Sequence, residues 1–487
     1  MSQITQKLSS VPAKYLAAGI CVFYLLTLRQ GQTWMDDYAQ YVLHAVNLAG
    51  GRPYADTGYI LNPAYQVTGP VTYPPVFPLL LAGVYKIAGL NLQAMKAATV
   101  LAFAAFLYLL FLLFSPGLGS RRALLAAGLV GLSPVFWKFK DYLYAEYPFL
   151  LFSFAALYVY GRARAAEAAG GRWLPRALAA GLLAYLAYGT RSAGAALLPA
   201  FLIADLVERK KLSKTFLACG AAALGLAVCQ GLTLHSDAVY AGQAAELLSR
   251  SSLPGTAAAN FWTYADRLTL LFDNGYSELL AAGVLGAVAA LAAAGFVRRA
   301  GREPLFAAYV LLNAVMLLLF PASDGLRYAF PLVPFLFYYA LAGAQAGAER
   351  FRRAARYAAP ALLLAALASY AGAYSRAQYG AFREGTGKAE TKLLFDFIRS
   401  SVPPGEPVIF RKPRTLALYT GRRASMYHFA PDGELLAYFK SAGARYLITG
   451  AVFPEDAAFL SPFAARNPEK LSEVYFNADF KVYRLNP

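Results

Sequence analysis

The chain is poor in the residues that build disulfides, zinc sites and nucleotide sites. It has three cysteines and three histidines in 487 residues. Cys21, Cys219 and Cys229 lie within apolar runs without the spacing of metal ligands, so neither a disulfide framework nor a zinc site is indicated. A glycine-rich phosphate loop is also missing, because Gly170-Gly171 follows no predicted strand. A nucleotide-sugar or ATP site therefore has no recognisable cradle.

Charged residues make up only 15% of the chain, whereas hydrophobic residues make up 58% and the mean hydropathy is +0.43. A chain this long and this apolar is typical of a polytopic membrane protein. The net charge of +18 does not indicate nucleic acid, because Lys and Arg fall in short clusters between apolar runs and form no continuous basic stripe. Membrane orientation explains the excess better.

The apolar runs predict about eleven transmembrane helices, several of them shorter than the roughly 20 residues of a perpendicular span. Basic clusters lie in every second connection, which predicts a cytoplasmic amino terminus and an extracytoplasmic chain after residue 373. Merging the fifth and sixth runs would invert every later span, so Arg191 is placed at an outer turn between them. The runs are 13–29, 93–114, 121–137, 145–161, 177–189, 192–207, 214–234, 277–297, 303–320, 327–346 and 357–373.

This topology predicts a transmembrane module at 1–373, with outer loops at 30–92 and 235–276, and a small extracytoplasmic α/β domain at 374–487. In the first loop, apolar residues at helical spacing predict an amphipathic helix in the membrane interface over 37–50. Tyr73-Pro74-Pro75 precedes a second helix that ends near Leu90. The tail alternates predicted strands at 407–410, 444–449 and 481–485 with predicted helices at 390–400, 414–420 and 433–442.

Asp36 and Asp37 follow the first span directly, where the chain enters the first outer loop. Helix capping explains one aspartate more naturally than two. Adjacent carboxylates repel each other, and in a partly desolvated site one of them requires a proton or a nearby cation. The pair therefore predicts a catalytic base together with a cation ligand.

Glu146 is predicted at the outer end of the fourth span, on the same side as the aspartates; an ion pair with Lys138 or Lys140 is the alternative. Lys and Arg are scarce on this side, so an anionic phosphate would explain those that are present. For two or three of them, contact with lipid headgroups or a nearby acid is the simpler explanation. The outer cations are Arg52, Lys86, Arg191, Arg267 and Arg327, the last followed by Tyr328 and flanked by Asp324.

Several short motifs keep one order and one predicted side along nearly the whole chain. They are Asp36-Asp37, Arg52-Pro53-Tyr54-Ala55-Asp56, Tyr73-Pro74-Pro75, Glu146-Tyr147-Pro148, Thr190-Arg191, Arg327-Tyr328 with Pro331 and Pro334, Lys412-Pro413-Arg414 and Tyr419-Thr420-Gly421-Arg422-Arg423. Together they resemble the GT-C glycosyltransferases, most closely the bacterial relatives of protein O-mannosyltransferases and of the lipid A aminoarabinose transferase. Protein O-mannosyltransferases usually carry Asp-Glu at the paired position and a different outer domain, which argues against a protein acceptor.

The resemblance implies an inverting transfer of a hexose or pentose from a polyprenyl-phosphate donor to a hydroxyl of a lipid or glycan, at the outer face of the bacterial inner membrane. Asp36 or Asp37 would be the general base, and Glu146 a second acid near the acceptor or a metal. A divalent cation, Mg or Mn, is used by some members and not by others; its ligands would be Asp37 and Glu146. The donor phosphate would contact Lys86, Arg191, Arg327, Tyr328, Arg52 and Arg267.

Three other functions compete with this one. A transporter or flippase of a lipid-linked sugar would place ionisable residues near the bilayer midplane, whereas here they cluster at segment ends. A structural or sensory membrane protein would leave the aspartates and outer cations without a role. A polysaccharide polymerase or ligase is the nearest enzymatic alternative, but such proteins usually lack a carboxy-terminal α/β domain.

Overall fold

The computed structural model describes residues 3–65, 69–234, 252–320, 325–350 and 352–486. The chain forms two compact units. The described residues of Met1–Leu28, Lys96–Lys140 and Tyr144–Tyr379 form the first, which is helical, and those of Arg29–Met95, Asp141–Leu143 and Gly380–Pro487 form the second, which contains a β-sheet. The sequence-based division differs from this one, because it assigned the loop 30–92 to the membrane module and not to the carboxy-terminal domain.

The helices up to residue 375 follow the predicted apolar runs closely. Of them, α2 and α3 belong to the second unit. Short 3₁₀ helices lie at Ser192–Ala196, Leu270–Phe272 and Leu326–Ala329. In chain order the helices are α1 (Gln3–Leu26), α2 (Asp37–Ala49), α3 (Val76–Ala88), α4 (Leu92–Leu118), α5 (Ser120–Gly131), α6 (Pro134–Phe139), α7 (Glu146–Ala168), α8 (Leu174–Thr190), α9 (Leu197–Arg209), α10 (Lys214–Leu234), α11 (Leu253–Thr269), α12 (Glu278–Arg299), α13 (Pro304–Leu319), α14 (Val333–Arg350) and α15 (Arg352–Ser375).

Within the described residues, α4, α10 and α12 are long and apolar enough to cross a membrane, judged by length and composition. Shorter apolar helices lie at Val11–Leu26, Val76–Ala88, Pro304–Leu319 and Pro360–Ser375. The fold is therefore helical with several apolar helices, and the number of eleven spans remains a prediction.

Three details differ from or refine the predicted spans. The run 121–137 is not one helix, because Ser133 is extended (φ −64°, ψ 126°) and Pro134 starts a new helix whose first turn needs no proline N–H. Arg191 is extended (φ −148°, ψ 137°) between α8 and the following 3₁₀ helix, which confirms two separate elements there. The loop 235–276 contains α11, which was not predicted. Two polar residues noted in the sequence, His235 and Asp324, lie outside the described residues.

The second unit is built on a six-stranded sheet with the order β1-β3-β2-β4-β6-β5. The first four strands are parallel, and β6 pairs antiparallel with both β4 and β5. This confirms the three predicted strands of the tail and adds three that were not predicted, two in the tail and one in the first outer loop. The strands are β1 (Tyr59–Ile60), β2 (Val408–Ile409), β3 (Ala424–Ser425), β4 (Tyr446–Gly450), β5 (Leu471–Phe476) and β6 (Phe480–Leu485).

Helices cover both faces of this sheet, and each face has its own apolar core. The first core joins α16 (Ala389–Ser401) and α17 (Pro413–Thr420), and the second joins α18 (Asp432–Ser441) and α19 (Ser461–Arg466). Trp34 packs into the first core with its ring 5.2 Å from Phe453. Trp34, which lies two residues before Asp36, is therefore fixed to the part of the unit that the carboxy-terminal segment forms.

The apolar side of α2 contacts protein, which corrects the expectation that this helix lies in the lipid interface. Tyr41 lies 4.7 Å from the ring of Tyr73 and 4.9 Å from that of Phe77, and Tyr38 and Val42 are fully buried. An amphipathic pattern identifies a helix with one apolar face, but it does not say whether lipid or protein covers that face.

Candidate active site

The first candidate site lies in the second unit, where Asp36 binds the start of α17. Its Oδ1 accepts hydrogen bonds from the Thr415 backbone N–H (2.9 Å) and the Thr415 hydroxyl (2.7 Å), and its Oδ2 accepts one from the Arg414 N–H (3.3 Å). Asp36 makes no side-chain cap bond to its own helix α2. Its carboxylate thus satisfies N–H groups that the first turn of a helix distant in sequence leaves unpaired.

Asp37 has a different environment. Its Oδ1 accepts hydrogen bonds from the Tyr73 hydroxyl (2.7 Å) and from Nη1 of Arg414 (3.2 Å), and its side chain is 24% exposed. The carboxylate is therefore held in position from one side and still reaches solvent. Among the aspartate pair, Asp37 is the one placed to exchange a proton with a bound molecule.

Arg414 organises this site, although only its motif, and not its role, was noticed in the sequence. It is 1% exposed, and it donates hydrogen bonds to the Tyr73 hydroxyl (2.8 Å) and to the Pro70 carbonyl (3.2 Å). Burial alone would lower the pKa of Arg414. Tyr73, Tyr59 and the two aspartates raise this pKa by more than burial lowers it, so the guanidinium stays charged.

Lys412, two residues earlier, interacts electrostatically with Asp36 and Asp37. Burial lowers its pKa, and both aspartates oppose that change. The sequence Lys412-Pro413-Arg414 therefore brings two cations to the aspartate pair, and Pro413 starts the helix that fixes them.

His44 supports the same site as a neutral ring. The Tyr73 backbone N–H donates to its Nε2 (3.3 Å), so the proton lies on Nδ1, which donates to the Tyr54 carbonyl (2.8 Å). The ring stacks on Tyr54 at 4.1 Å. Burial lowers the pKa of His44 to about 4, which keeps it uncharged near neutral pH.

The second candidate site lies in the first unit, where Glu146, Arg191, Arg327 and Tyr328 form what we term the arginine cluster. Glu146 starts α7, is 2% exposed and accepts a hydrogen bond from Nη1 of Arg191. Nε of Arg327 lies 3.9 Å from the same carboxylate oxygen. Both arginines contact the Tyr328 ring, at 5.1 Å and 5.4 Å from its centre. Glu146 therefore pairs with Arg191 and Arg327, and not with Lys138 or Lys140 as the alternative interpretation had it.

Tyr264 on α11 belongs to this cluster and was missed, because its helix was not predicted. Its hydroxyl interacts electrostatically with Arg191, Arg327 and Tyr328, and it is buried without a hydrogen-bond partner in the described residues. Oε2 of Glu146 is likewise buried and unpaired in the part of the chain that the structure describes. Buried polar atoms without partners are rare and mark a place where a ligand or water would bind.

An apolar cavity of about 290 Å³ in the same unit shares two elements with the arginine cluster. The 3₁₀ helix Leu326–Ala329 carries Arg327 and also lines the cavity through Ala329, and Leu268 lines it one helical turn after Tyr264. The same two elements therefore contribute to a cationic cluster and to an apolar space formed by α11 to α14.

The other predicted phosphate contacts are elsewhere. Arg52 and Lys86 belong to the second unit and are exposed, and Arg267 is exposed on α11. None of the three has an ion pair among the described residues. The structure therefore brings together Arg191, Arg327 and Tyr328 from the predicted set, and not these three.

The comparisons with known proteins agree with the helical architecture. A family profile described as dolichyl-phosphate-mannose-protein mannosyltransferase matches residues 72–233. Among curated protein sequences, none matches the chain. ArnT from Cupriavidus metallidurans bound to undecaprenyl phosphate has a TM-score of 0.61 at 12% identity, over 96% of this chain and 97% of that one. The chain has the GT-C glycosyltransferase fold.

Two further GT-C structures support this assignment. The archaeal oligosaccharyltransferase AglB from Archaeoglobus fulgidus, in complex with an inhibitory peptide and a dolichol-phosphate, has a TM-score of 0.58 at 14% identity, over 92% of this chain and 70% of that one. The arabinofuranosyltransferase AftD from Mycobacteria has a TM-score of 0.55 at 14% identity, over 97% of this chain and 41% of that one.

A divalent cation was predicted on Asp37 and Glu146, and the oligosaccharyltransferase of Archaeoglobus fulgidus has been solved in complex with Zn and sulfate. Within the described residues, no group of three His, Cys, Asp or Glu side chains could hold a metal. Asp37 pairs with Arg414, and Glu146 pairs with two arginines. A metal role for Asp37 and Glu146 stays a prediction.

Proposed function

We propose that this protein is an inverting glycosyltransferase that moves a sugar from a polyprenyl-phosphate donor to an acceptor hydroxyl on a lipid or glycan. The observation that carries the proposal is the arginine cluster together with the apolar cavity that shares two elements with it. A polyprenyl phosphate has the same two parts, an anionic head and an apolar chain. The structural relatives bound to undecaprenyl phosphate and dolichol-phosphate support this choice of donor.

Arg191 and Arg327 bind the phosphate oxygens of the donor, since guanidinium groups match phosphate geometry bidentately. Glu146 holds both arginines in place before the donor arrives. As the bond between the sugar C1 and the phosphate oxygen breaks, the bonding electrons stay on the phosphate, and the two arginines stabilise the negative charge that develops.

Asp37 acts as the general base. It takes the proton from the acceptor hydroxyl while that oxygen bonds to C1 on the face opposite the leaving phosphate, which inverts the configuration. Tyr73 and Arg414 orient its carboxylate, and Asp36 positions Arg414 through the start of α17. The paired aspartates thus divide between proton transfer and support, and no step passes through a divalent cation.

The reaction takes place at the outer face of the bacterial inner membrane, with the amino terminus in the cytoplasm and the carboxy-terminal segment outside. The alternating basic loops support this orientation. The identity of the sugar is left open by this mechanism, because no residue described above contacts the sugar ring.

The proposal is tested by comparing Asp37→Asn with Asp36→Asn in purified protein. The measurements are release of polyprenyl phosphate from lipid-linked sugars extracted from the source membrane, and the melting temperature. We expect Asp37→Asn to lower turnover by about 10² to 10⁴ with little change in melting temperature. Asp36→Asn should lower the melting temperature, because a helix cap contributes about 1 kcal/mol.

A flippase gives a different result. The wild-type protein in vesicles would then move lipid-linked sugar across the bilayer without releasing polyprenyl phosphate, and Asp37→Asn would leave that movement intact. Unchanged turnover in Asp37→Asn would remove the base assignment.

A further inference from the structure

Four loops meet at the carboxyl edge of the parallel strands in the second unit. Tyr65 follows β1, Arg411 follows β2, Tyr427 follows β3 and Glu455 follows β4. None of them takes part in the proposed chemistry. Because parallel strands place their carboxyl ends at one edge of a sheet, these side chains come together although up to 390 positions separate them in the sequence.

The connections after β2 and β3 lead to helices on opposite faces of the sheet. The loop after β2 leads to α17, which packs through Leu416 into the core on one face, and the loop after β3 leads to α18, which packs through Leu435 into the core on the other face. Adjacent strands whose loops leave in opposite directions open a crevice, and open α/β sheets bind their ligands at such a position.

Arg411 lies in this crevice between two aromatic rings. Its guanidinium is 6.0 Å from the ring centre of Tyr65 and 5.9 Å from that of Tyr427, and its Nη2 donates to Glu455 (2.6 Å). Its Nη1 is buried, and the Tyr65 side chain shares a hydrogen bond with the guanidinium. The side chain of Arg411 is 11% exposed. An anion would therefore bind the guanidinium in place of Tyr65.

An aromatic surface borders the arginine. Phe429 is 54% exposed, and its ring lies 5.1 Å from Phe459, 5.9 Å from Tyr427 and 6.4 Å from Tyr65. Asp456 holds the Tyr427 ring in place, because it accepts a hydrogen bond from the Tyr427 hydroxyl (2.6 Å). Asp456 also starts a π-helical turn. Such turns are frequent at functional sites.

A purely structural role accounts for the Arg411–Glu455 ion pair but leaves the exposed ring of Phe429 unexplained. An exposed aromatic ring beside a cation and a carboxylate fits a ligand with an apolar face, hydroxyl groups and a negative charge. Sugar rings supply the apolar face and the hydroxyls. A phosphate or carboxylate on the sugar supplies the charge that Arg411 would bind.

We propose that this carboxyl-edge crevice binds an anionic saccharide, with Phe429 against the sugar ring, Arg411 on the acidic group and Glu455 accepting a hydroxyl proton. The assignment of this saccharide as the acceptor rests on the proposed function. Its binding to the crevice does not depend on that function. The site adds the substrate class that the transfer mechanism leaves open.

The test is an isothermal titration calorimetry experiment on the full chain in detergent with glucose 6-phosphate, glucose and inorganic phosphate. We expect glucose 6-phosphate to bind more tightly than either of the other two. Phe429→Ala should weaken glucose 6-phosphate about fivefold or more and leave phosphate unchanged, and Arg411→Gln should weaken both. Phe476→Ala is the matched control, because Phe476 is an exposed aromatic residue on β5, away from the parallel strands.

The inference is overturned if Phe429→Ala and Phe476→Ala bind glucose 6-phosphate equally, or if the wild-type protein binds it no better than phosphate alone. The melting temperature of each variant shows that it is folded, and Phe429→Ala keeps the proposal testable if Arg411→Gln unfolds. Asp37→Asn should retain full binding. Turnover reports on the proposed function, and binding of glucose 6-phosphate reports on this site. A variant that loses one of the two and keeps the other therefore distinguishes a failure of the proposed function from a failure of this site.

Discussion

Two adjacent aspartates differ because they face different partners. Asp36 is saturated by the N–H groups and the hydroxyl at the start of α17, whereas Asp37 shares a tyrosine and an arginine and remains partly exposed. Both oxygens of Asp36 are thus occupied by hydrogen bonds within the protein, whereas the Asp37 side chain still reaches solvent. The difference between neighbours is thus set by contacts with a helix more than 370 residues away.

At Arg191, we expect Arg191→Lys to raise the KM for a polyprenyl-phosphate sugar about tenfold or more, because a lysine cannot reproduce the bidentate contact with phosphate. The measurement is initial-rate kinetics over a range of donor concentrations. Arg267→Gln is the control, since Arg267 is an exposed arginine of the same unit. Equal effects of the two variants would show that the arginine cluster does not hold the donor.

At His44, we expect acid to remove a contribution to stability. The pKa of His44 falls from 6.5 to about 4 on folding, so its contribution is present above pH 6.5 and is lost as the pH falls toward 4, at most about 3 kcal/mol. Asp456 acts in the opposite direction, because burial raises its pKa to about 6 and its contribution is lost as the pH rises through 6.

The measurement is the free energy of unfolding between pH 4 and 7. The contributions of His44 and Asp456 nearly cancel in the wild-type protein, so His44→Gln should make stability fall as the pH rises through this range, and Asp456→Asn should make it rise. A slope unchanged by His44→Gln would mean that the ring is protonated in the folded protein.

The residues of the sites were only partly predictable from the sequence. Asp36, Asp37, Glu146, Arg191 and Arg327 were found, because charged residues next to apolar runs are conspicuous. Arg414 and Tyr264 were not assigned roles. The sequence around Arg414 does not show that its helix is buried, and Tyr264 lies in a helix of a loop that lacked a strong pattern. No local pattern shows that a buried arginine will face a residue from the other end of the chain.

Among the helices, the ends of α7, α9 and α10 are joined by one buried acid. Asp205 is fully buried; it accepts hydrogen bonds from the Tyr160 hydroxyl (3.1 Å) and the Ser213 N–H (2.8 Å), and it lies 3.0 Å from Nε of Arg164. Three helices that approach one another at a basic loop are thereby joined through one carboxylate.

We expect Asp205→Ala to lower the free energy of unfolding by about 3–5 kcal/mol, because it removes the buried partner of Arg164 Nε and leaves the donors of Tyr160 and Ser213 unpaired. Glu208→Ala is the control, since Glu208 also pairs with Arg164 but is largely exposed. The measurement is thermal unfolding in detergent. Similar melting temperatures for the two variants would show that the buried acid carries little of the stability.

Among the elements, the periodic helices were predictable from the sequence, whereas three strands, including the six-residue β5, were missed. The helices α2 and α3 and the tail helices lie within a few residues of their predicted bounds. The two-residue strand β1 was missed, because a pair such as Tyr59–Ile60 has no alternation to detect and is extended only through its pairing with β3. Short strands depend on tertiary partners, which the local sequence does not contain.

On the scale of the whole molecule, the division into two units follows which segments share a core. The first outer loop contributes β1 and the Trp34 anchor to the unit that contains the carboxy-terminal segment. Apolar runs identified the helical unit, but they could not show that the loop between them belongs to the sheet. Hydropathy reports burial and not the partner that provides it.

The orientation of the units across the membrane is tested by cysteine labelling in intact cells. The three native cysteines, Cys21, Cys219 and Cys229, are first replaced by serine or alanine. We expect Phe476→Cys to react with a membrane-impermeant maleimide in cells whose outer membrane has been permeabilised, because the carboxy-terminal segment is predicted outside. Gly171→Cys, in a loop flanked by Arg162, Arg164 and Arg172, should react only after the inner membrane is opened. Labelling of Gly171→Cys before that step would invert the topology and place the aspartate site in the cytoplasm, where a lipid-linked donor presented on the outer leaflet could not reach it.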